Sequence, residues 1–149
     1  MIHLEIAGAV AVATLARPPV NAIDEEWIKG LHEVLAKTGS ARVLLVRSSE
    51  KTFSAGADLA LMRARFDSEA GRAAMVAFAR AMQRAYARLE TSPLVSIAEI
   101  GGAAMGGGLE LALACDLRIA SAEAKLGLPE ARLGLLPATG EAANQTASS

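Results

Sequence analysis

Residues 101–110 read Gly101-Gly102-Ala103-Ala104-Met105-Gly106-Gly107-Gly108-Leu109-Glu110, and the rest of the chain is organised around them. The apolar run before them, residues 94–98, is typical of a strand, and the run from Glu110 to Cys115 favours a short helix. A glycine-rich turn between strand and helix brings bare backbone N–H groups to the helix N-terminus, where negative charge is stabilised. Glu110 follows Gly107 by one helical turn, on the same side. This pattern suggests chemistry at a carbonyl group, in which donors hold the oxygen and a carboxyl group moves the proton.

Other interpretations of this turn compete with that one. Consecutive glycines also mark places where a helix packs closely on a strand, and the turn by itself leaves this alternative open. A Walker phosphate loop is excluded because no Lys-Ser or Lys-Thr pair follows the glycines. The dinucleotide-binding fingerprint fails because Ala103 stands where its second glycine belongs if Gly101 is the first.

A second informative turn is Phe53-Ser54-Ala55-Gly56-Ala57-Asp58-Leu59. Small residues here follow the apolar run 42–47 and lead into a helix, with Asp58 near its first turn. Such a turn again lets backbone N–H groups approach a ligand, and the alternative is an ordinary capped turn. Because the run 42–47 is continuously apolar, it predicts a strand buried on both faces and covered by helices.

The remaining segments predict a mixed order of strands and helices. Residues 2–6 and 10–15 alternate as the two strands of a hairpin, and Leu117-Arg118-Ile119-Ala120 predicts a later strand. Asp24 is the predicted N-cap of a helix that places Trp27 in the core.

Residues 68–89 predict one long helix with an apolar stripe of Met75, Phe78, Met82, Ala85 and Leu89. Arg80, Arg84 and Arg88 repeat every four residues on another face of this helix. A solvated basic stripe is favoured there over a phosphate contact.

Composition bounds the class of protein. The chain has 149 residues, of which 52% are hydrophobic and 21% charged, which indicates one globular domain. A net charge of −1 gives no reason to expect nucleic acid or an anionic membrane as partner. The one cysteine, Cys115, fits a reducing compartment, and neither a signal peptide nor a membrane span is visible. We therefore expect a cytoplasmic protein.

Taken together and in order, these segments resemble the crotonase family, also called the enoyl-CoA hydratase/isomerase superfamily, from about residue 2 to Pro137. Each motif alone is weak, and the ordered set is highly specific. The motifs are Arg17-Pro18-Pro19-Val20-Asn21-Ala22, the turns 53–59 and 101–112, Cys115-Asp116, Leu128-Pro129-Glu130 and Gly134-Leu135-Leu136-Pro137.

The resemblance implies an α/β fold, a crotonase-like spiral of ββα units, that binds acyl-CoA thioesters. It implies an oxyanion hole made by the backbone N–H groups of Ala57 and Gly107. These two residues lie in the two small-residue turns described above. Hydratases of the family carry two catalytic glutamates, which match Glu110 and Glu130. The implied contacts to substrate and coenzyme A are Ala22, Ala55, Ala57, Asp58, Leu59, Gly106, Gly107 and Pro129.

The implied reaction is hydration of a 2-enoyl-CoA in fatty acid metabolism, without metal or redox cofactor, since coenzyme A is part of the substrate. Two alternatives stay open. One is another activity of the family, double-bond isomerisation or acyl-CoA hydrolysis. The other is an inactive fragment that binds CoA esters or partners without turnover.

The chain departs from the family pattern after Pro137. Glu141 stands where the second glycine of a family pair belongs, and residues 138–149 lack an aliphatic pattern. We therefore expect a spiral core over residues 2–137, a non-family and disordered tail over 138–149, and a missing C-terminal helical part. The resemblance implies a homotrimer or a dimer of trimers, which the missing part puts in doubt, and an exposed apolar surface that favours self-association.

Overall fold

A computed structural model describes residues 1–129 of the chain. The predicted residues Glu130, 134–137 and 138–149 lie outside this described part. Its strands and helices follow in the order β1 (Ile2–Ala7), β2 (Val10–Leu15), α1 (Glu25–Ala36), β3 (Val43–Ser48), α2 (Leu59–Phe66), α3 (Glu69–Glu90), β4 (Val95–Ile100), β5 (Ala104–Met105), α4 (Gly107–Leu113), β6 (Leu117–Ala120) and β7 (Leu126–Gly127).

Within residues 1–129, five strands form one sheet in the order β1-β2-β3-β4-β6. The predicted hairpin of β1 and β2 is antiparallel, and the pairs β2–β3, β3–β4 and β4–β6 are parallel. Parallel neighbours need crossover connections, which here run through the helices α1, α2, α3 and α4. A smaller parallel pair joins β5 to β7. The predicted α/β fold class is confirmed.

Side-chain caps start the helices α1 and α3, and the sequence predicts the one at Asp24. The Asp24 side chain accepts a hydrogen bond from Trp27 N at 2.8 Å and starts α1, and Trp27 is buried in the core. Ser68 caps the long helix α3 in the same way, through Gly71 N at 3.0 Å. Among residues 1–129, no helix is long and apolar enough to cross a membrane.

The strand β3 differs from its prediction. Leu44 and Val46 are fully buried in the core cluster that also contains residues of α1 and α3. Val43 and Leu45, on the other face, are only half-buried. The prediction of burial on both faces is therefore wrong for the described part of the chain, because its helical core covers one face of the sheet.

The helix after the glycine turn is also shifted relative to its prediction. It begins at Gly107, three residues before Glu110, and ends at Leu113 rather than at Cys115. Cys115 lies just beyond the helix, buried, with its Sγ 3.6 Å from Leu111 O. Burial, together with the charge of Asp116, raises the pKa of the Cys115 thiol to about 12.

Candidate active site

Three segments that are distant in sequence lie side by side at the candidate site: residues 20–24, 53–58 and 103–107. Ala55 N donates to Val20 O at 2.9 Å, which joins the first segment to the second. Met105 N donates to Ser54 O at 2.9 Å, which joins the second to the third. The middle segment is thus held on both edges by backbone hydrogen bonds.

The amides of Ala57 and Gly107 are neighbours in this arrangement. Ile23 and Ala57 form a parallel β-bridge. In this bridge Ile23 N donates to Gly56 O at 2.8 Å and Asp58 N donates to Ile23 O at 2.9 Å, so the bonds are made by the residues before and after Ala57. Because backbone groups of a strand alternate in direction, the N–H of Ala57 points away from Ile23, toward the edge of the middle segment along which the third segment lies. There the backbone of Gly56 packs so closely that a Cβ on it would lie 3.0 Å from Gly107 N.

Gly107 is the first residue of α4, so its N–H has no acceptor within the helix. The turn that precedes it requires glycine, because Gly106 has φ of 51° and ψ of −127°. Gly106, Gly107 and Gly108 are all buried. The arrangement provides two backbone donors close to each other, which suits a developing oxyanion.

Glu110 lies one turn into α4 and is only 3% exposed. Below the same turn lies the phenol of Tyr86 from α3, whose hydroxyl donates to Gly107 O at 2.8 Å. Burial, and then the nearby charge of Glu110, raise the pKa of Tyr86 well above its usual value. The buried carboxyl group of Glu110 and the amide of Gly107 therefore share the first turn of one short helix, next to the turn that contains Ala57.

The strand β7 brings the end of the described chain to the same place. Gly106 N donates to Gly127 O at 2.9 Å, and Ala104 N donates to Lys125 O at 2.9 Å. Leu128 and Pro129 follow, both half-buried. The second predicted acid, Glu130, comes directly after Pro129 and lies outside the described residues.

The sequence model of the family "Enoyl-CoA hydratase/isomerase" matches residues 5–145. The chain belongs to the enoyl-CoA hydratase/isomerase family. The match runs past residue 137, and the division of the chain into a core and a tail stays a prediction.

Individual relatives agree with the family. The chain is 40% identical over 139 residues to a "Probable enoyl-CoA hydratase" of Bacillus subtilis (strain 168), covering 91% of this chain and 52% of the relative. It is 35% identical to a short-chain-enoyl-CoA hydratase of Clostridium acetobutylicum, covering 93% of this chain and 53% of the relative. The chain thus spans about half the length of the curated relatives that it matches.

Solved structures give the same picture. Pseudomonas aeruginosa DspI superposes with a TM-score of 0.83 at 39% identity, covering 97% of this chain and 57% of that one. An enoyl-CoA hydratase from Thermoplasma volcanium superposes with a TM-score of 0.83 at 35% identity, covering 93% and 55%. The spiral expected from the crotonase resemblance is therefore the fold of this family member.

The other predicted contact residues fall around the two turns. Ala22 is half-buried and its carbonyl accepts from Arg17 Nη1 at 2.5 Å, while Ala55 and Leu59 are exposed. The carboxylate of Asp58 accepts from Ala60 N and Leu61 N and thereby caps α2. These bonds, the one from Leu61 first, lower the pKa of Asp58. A substrate contact at each of these positions stays a prediction.

Two grooves of the described residues lie away from the candidate site. One, of about 760 Å³, is lined mainly by β1 and α1 and includes Trp27. Another, of about 420 Å³, lies between α1 and α3 near His32. Neither is lined by Ala57, Gly107 or Glu110. They give no reason to move the candidate site away from the two turns.

Two buried residues shape the site in roles that the sequence did not predict, although one of them, Asn21, belongs to the motif at residues 17–22. Asn21 is fully buried, and its Nδ2 donates to Ser48 Oγ at 2.8 Å and to the carbonyl of Phe53 at 3.1 Å. Tyr86 lies one position beyond Ala85 of the predicted apolar stripe of α3. A buried amide and a buried phenol both need partners, and that requirement is the signal that could have found them.

A third missed feature is the ion-pair cluster of Arg17. Its Nη2 lies 2.7 Å from Asp24 Oδ2 and 3.4 Å from Asp58 Oδ2. One guanidinium thus joins the N-caps of α1 and α2, which flank the turn that contains Ala57. Two aspartates at predicted helix starts were the available signal for a shared cation.

Proposed function

We propose that this chain carries the catalytic core of an enoyl-CoA hydratase, which adds water across the 2,3 double bond of an enoyl-CoA thioester. The single observation that carries the proposal is the placement of a buried carboxyl group, Glu110, one turn from the adjacent amides of Ala57 and Gly107. The names of the matched relatives support the same reaction class.

The proposed chemistry follows from these groups. The thioester oxygen accepts hydrogen bonds from the N–H groups of Ala57 and Gly107, which draw electron density from the conjugated double bond. Carbon 3 then becomes open to attack, and the negative charge collects on the oxygen as an enolate. Each donor of such a pair is typically worth on the order of 3 kcal/mol in the transition state.

The two proton transfers of the hydration step are assigned to the carboxyl groups. As the water oxygen forms its bond to carbon 3, one proton leaves the water for a carboxylate. Carbon 2 of the enolate takes up a proton, which restores the thioester and gives the 3-hydroxyacyl product. Glu110 and Glu130 divide these tasks in the proposal, and general acid–base catalysis of this kind contributes about 10²–10⁴-fold.

The test is hydration of crotonyl-CoA by the purified 149-residue chain, followed by loss of the conjugated thioester absorbance and by mass analysis of the product. We expect Glu110→Gln and Glu130→Gln each to lower kcat by about 100-fold or more. Glu99→Gln, which changes an exposed glutamate of β4, is the matched control and keeps full turnover.

Other outcomes of this experiment separate the alternatives. A product with a shifted double bond indicates an isomerase, and free coenzyme A indicates a hydrolase. Saturable binding of crotonyl-CoA without any product indicates a binding protein and overturns the hydratase proposal. Unchanged turnover in both glutamine variants removes the proposed acid–base pair.

The wider setting is part of the same proposal. The family resemblance favours a role in fatty acid metabolism and a homotrimer or dimer of trimers, and the single cysteine favours a cytoplasmic location. Sedimentation of the purified chain measures the oligomeric state, and an exclusively monomeric protein contradicts the trimer.

A further inference from the structure

Two side chains of α3 hold the residue that starts α4. Met82 and Tyr86 lie four positions apart and therefore on the same face of α3. The Tyr86 hydroxyl donates to Gly107 O at 2.8 Å. Met82 packs against the same glycine, since a Cβ on Gly107 would lie 3.1 Å from the methyl group of Met82. Neither side chain has a part in the chemistry proposed above.

We infer that Tyr86 is a positioning residue, which fixes the backbone of Gly107 and thereby the direction of the N–H that holds the substrate oxygen. This inference rests on the proposed function. Tyr86 itself touches no reacting atom in this scheme; it acts through Gly107.

The turn needs such an anchor because of its composition. Gly106, Gly107 and Gly108 have no Cβ atoms to restrict their backbone, and glycine has the largest conformational freedom of any residue. The N–H groups of Gly107 and Gly108, the first two residues of α4, also lack an acceptor within the helix, whereas Leu109 N and Glu110 N both donate to Gly106 O. A hydrogen bond from a buried phenol to the first carbonyl of the helix supplies a fixed reference for this turn.

Catalysis makes the orientation important. An oxyanion donor must lie about 2.7–3.1 Å from the position of the developing charge, and small misplacements of reacting groups lower rates steeply. The phenol is also suited to a permanent role. Its burial and the charge of Glu110 raise its pKa, so the hydroxyl stays protonated and continues to donate.

The first experiment needs no substrate. Amide hydrogen exchange is measured residue by residue in the ligand-free 149-residue chain, for the wild type, Tyr86→Phe and Leu89→Val. The Phe variant removes only the hydroxyl oxygen, whereas Leu89→Val trims another buried side chain of α3 without touching that bond. We expect exchange in the first turn of α4 to rise about tenfold in Tyr86→Phe only.

The second experiment tests the consequence for catalysis. With crotonyl-CoA, we expect Tyr86→Phe to lower kcat about tenfold while KM changes less than about twofold. The infrared carbonyl frequency of a bound, carbon-13-labelled thioester should move part of the way back toward its value in water. Leu89→Val should show neither change.

The possible outcomes separate this inference from the proposed function. Faster exchange in α4 of Tyr86→Phe, together with no turnover by the wild type, supports the positioning role of Tyr86 and overturns the proposed hydratase function. Wild-type turnover with unchanged exchange, kcat and carbonyl frequency in Tyr86→Phe overturns the inference alone. Equal effects of Tyr86→Phe and Leu89→Val reduce Tyr86 to a general packing residue and overturn it as well.

Discussion

The two turns that meet at the candidate site are held by opposite means. The turn at residues 53–58 is held by polar side chains: Ser54 Oγ donates to Asn21 O at 2.8 Å, and the carboxylate of Asp58 caps the next helix. The turn at residues 101–108 has few side chains of its own; close backbone approach packs it against the first turn, and Tyr86 of α3 anchors it through Gly107 O. A Cβ on Gly108 would lie 2.5 Å from Ser54 O, inside any permitted contact.

This difference predicts how each turn responds to mutation. A turn held by hydrogen bonds loses stability one bond at a time, so conservative changes have graded effects. A turn packed by close backbone approach has no space for an extra atom, so a single added methyl group displaces a whole backbone segment. The contrast is sharpest where the two turns touch, between Ser54 and Gly108.

The largest effect is expected for Gly108→Ala. Alanine has the better helix propensity by about 1 kcal/mol, yet its methyl group would collide with the backbone and side chain of Ser54. We expect a net loss of about 3 kcal/mol in the free energy of unfolding, measured by urea titration with circular dichroism.

Gly101→Ala is the matched control, because a Cβ there would meet no atom within 4 Å. Its free energy of unfolding should stay within about 0.5 kcal/mol of the wild type. Equal urea midpoints for the two variants would show that the glycine turn is not held by close approach.

A smaller loss, about 2 kcal/mol, is expected for Asn21→Ala. The variant leaves the carbonyls of Thr52 and Phe53 and the Ser48 hydroxyl without the buried Asn21 Nδ2 donor. It also places alanine at φ of 51°, a conformation that asparagine tolerates better. Asn21→Gly separates the two causes, since glycine adopts this φ without strain; an Asn21→Gly variant as stable as the wild type would contradict the hydrogen-bond contribution.

The smallest effect is a pH dependence that arises from Asp58. Hydrogen bonds lower its pKa in the folded state, so folding favours the carboxylate. This stabilisation is present above the unfolded-state pKa of about 3.9 and is lost as the pH falls through the lower folded-state value. Asp58→Asn keeps an oxygen for the cap but cannot titrate.

The stability difference between wild type and Asp58→Asn should therefore be positive at pH 6 and shrink below about pH 4. Thermal unfolding across this range measures it, with Asp67→Asn, an exposed aspartate, as the control. A difference that is constant with pH would show that the Asp58 charge contributes nothing to this turn.

Local sequence signals were enough for the hairpin, the long helices and both turns, but not for the short strands β5 and β7. Asp24 caps the helix that it was expected to cap, and the long helix α3 buries most of its predicted apolar stripe. The family resemblance then joined Ala57 to Gly107, and the structure brings these two positions together. Their catalytic roles stay predictions, as do those of Glu110 and Glu130.

What the sequence could not show depends on contacts between distant residues. Asn21 bonds to carbonyls more than thirty positions away, and Tyr86 bonds to a carbonyl twenty-one positions on. Neither partner is readable from a local window. The one-sided burial of β3 also escaped prediction, because periodicity reports an apolar strand and not what packs on each face.

The buried position of Cys115 has a practical consequence. It is the single cysteine of the chain, its side chain is enclosed next to the end of α4, and its pKa of about 12 keeps it as a thiol near neutral pH. Two folded molecules therefore cannot be crosslinked through it, and a thiol-reactive dye can label it only after the structure opens. The protein carries its own reporter of unfolding, at the base of the helix that bears Glu110.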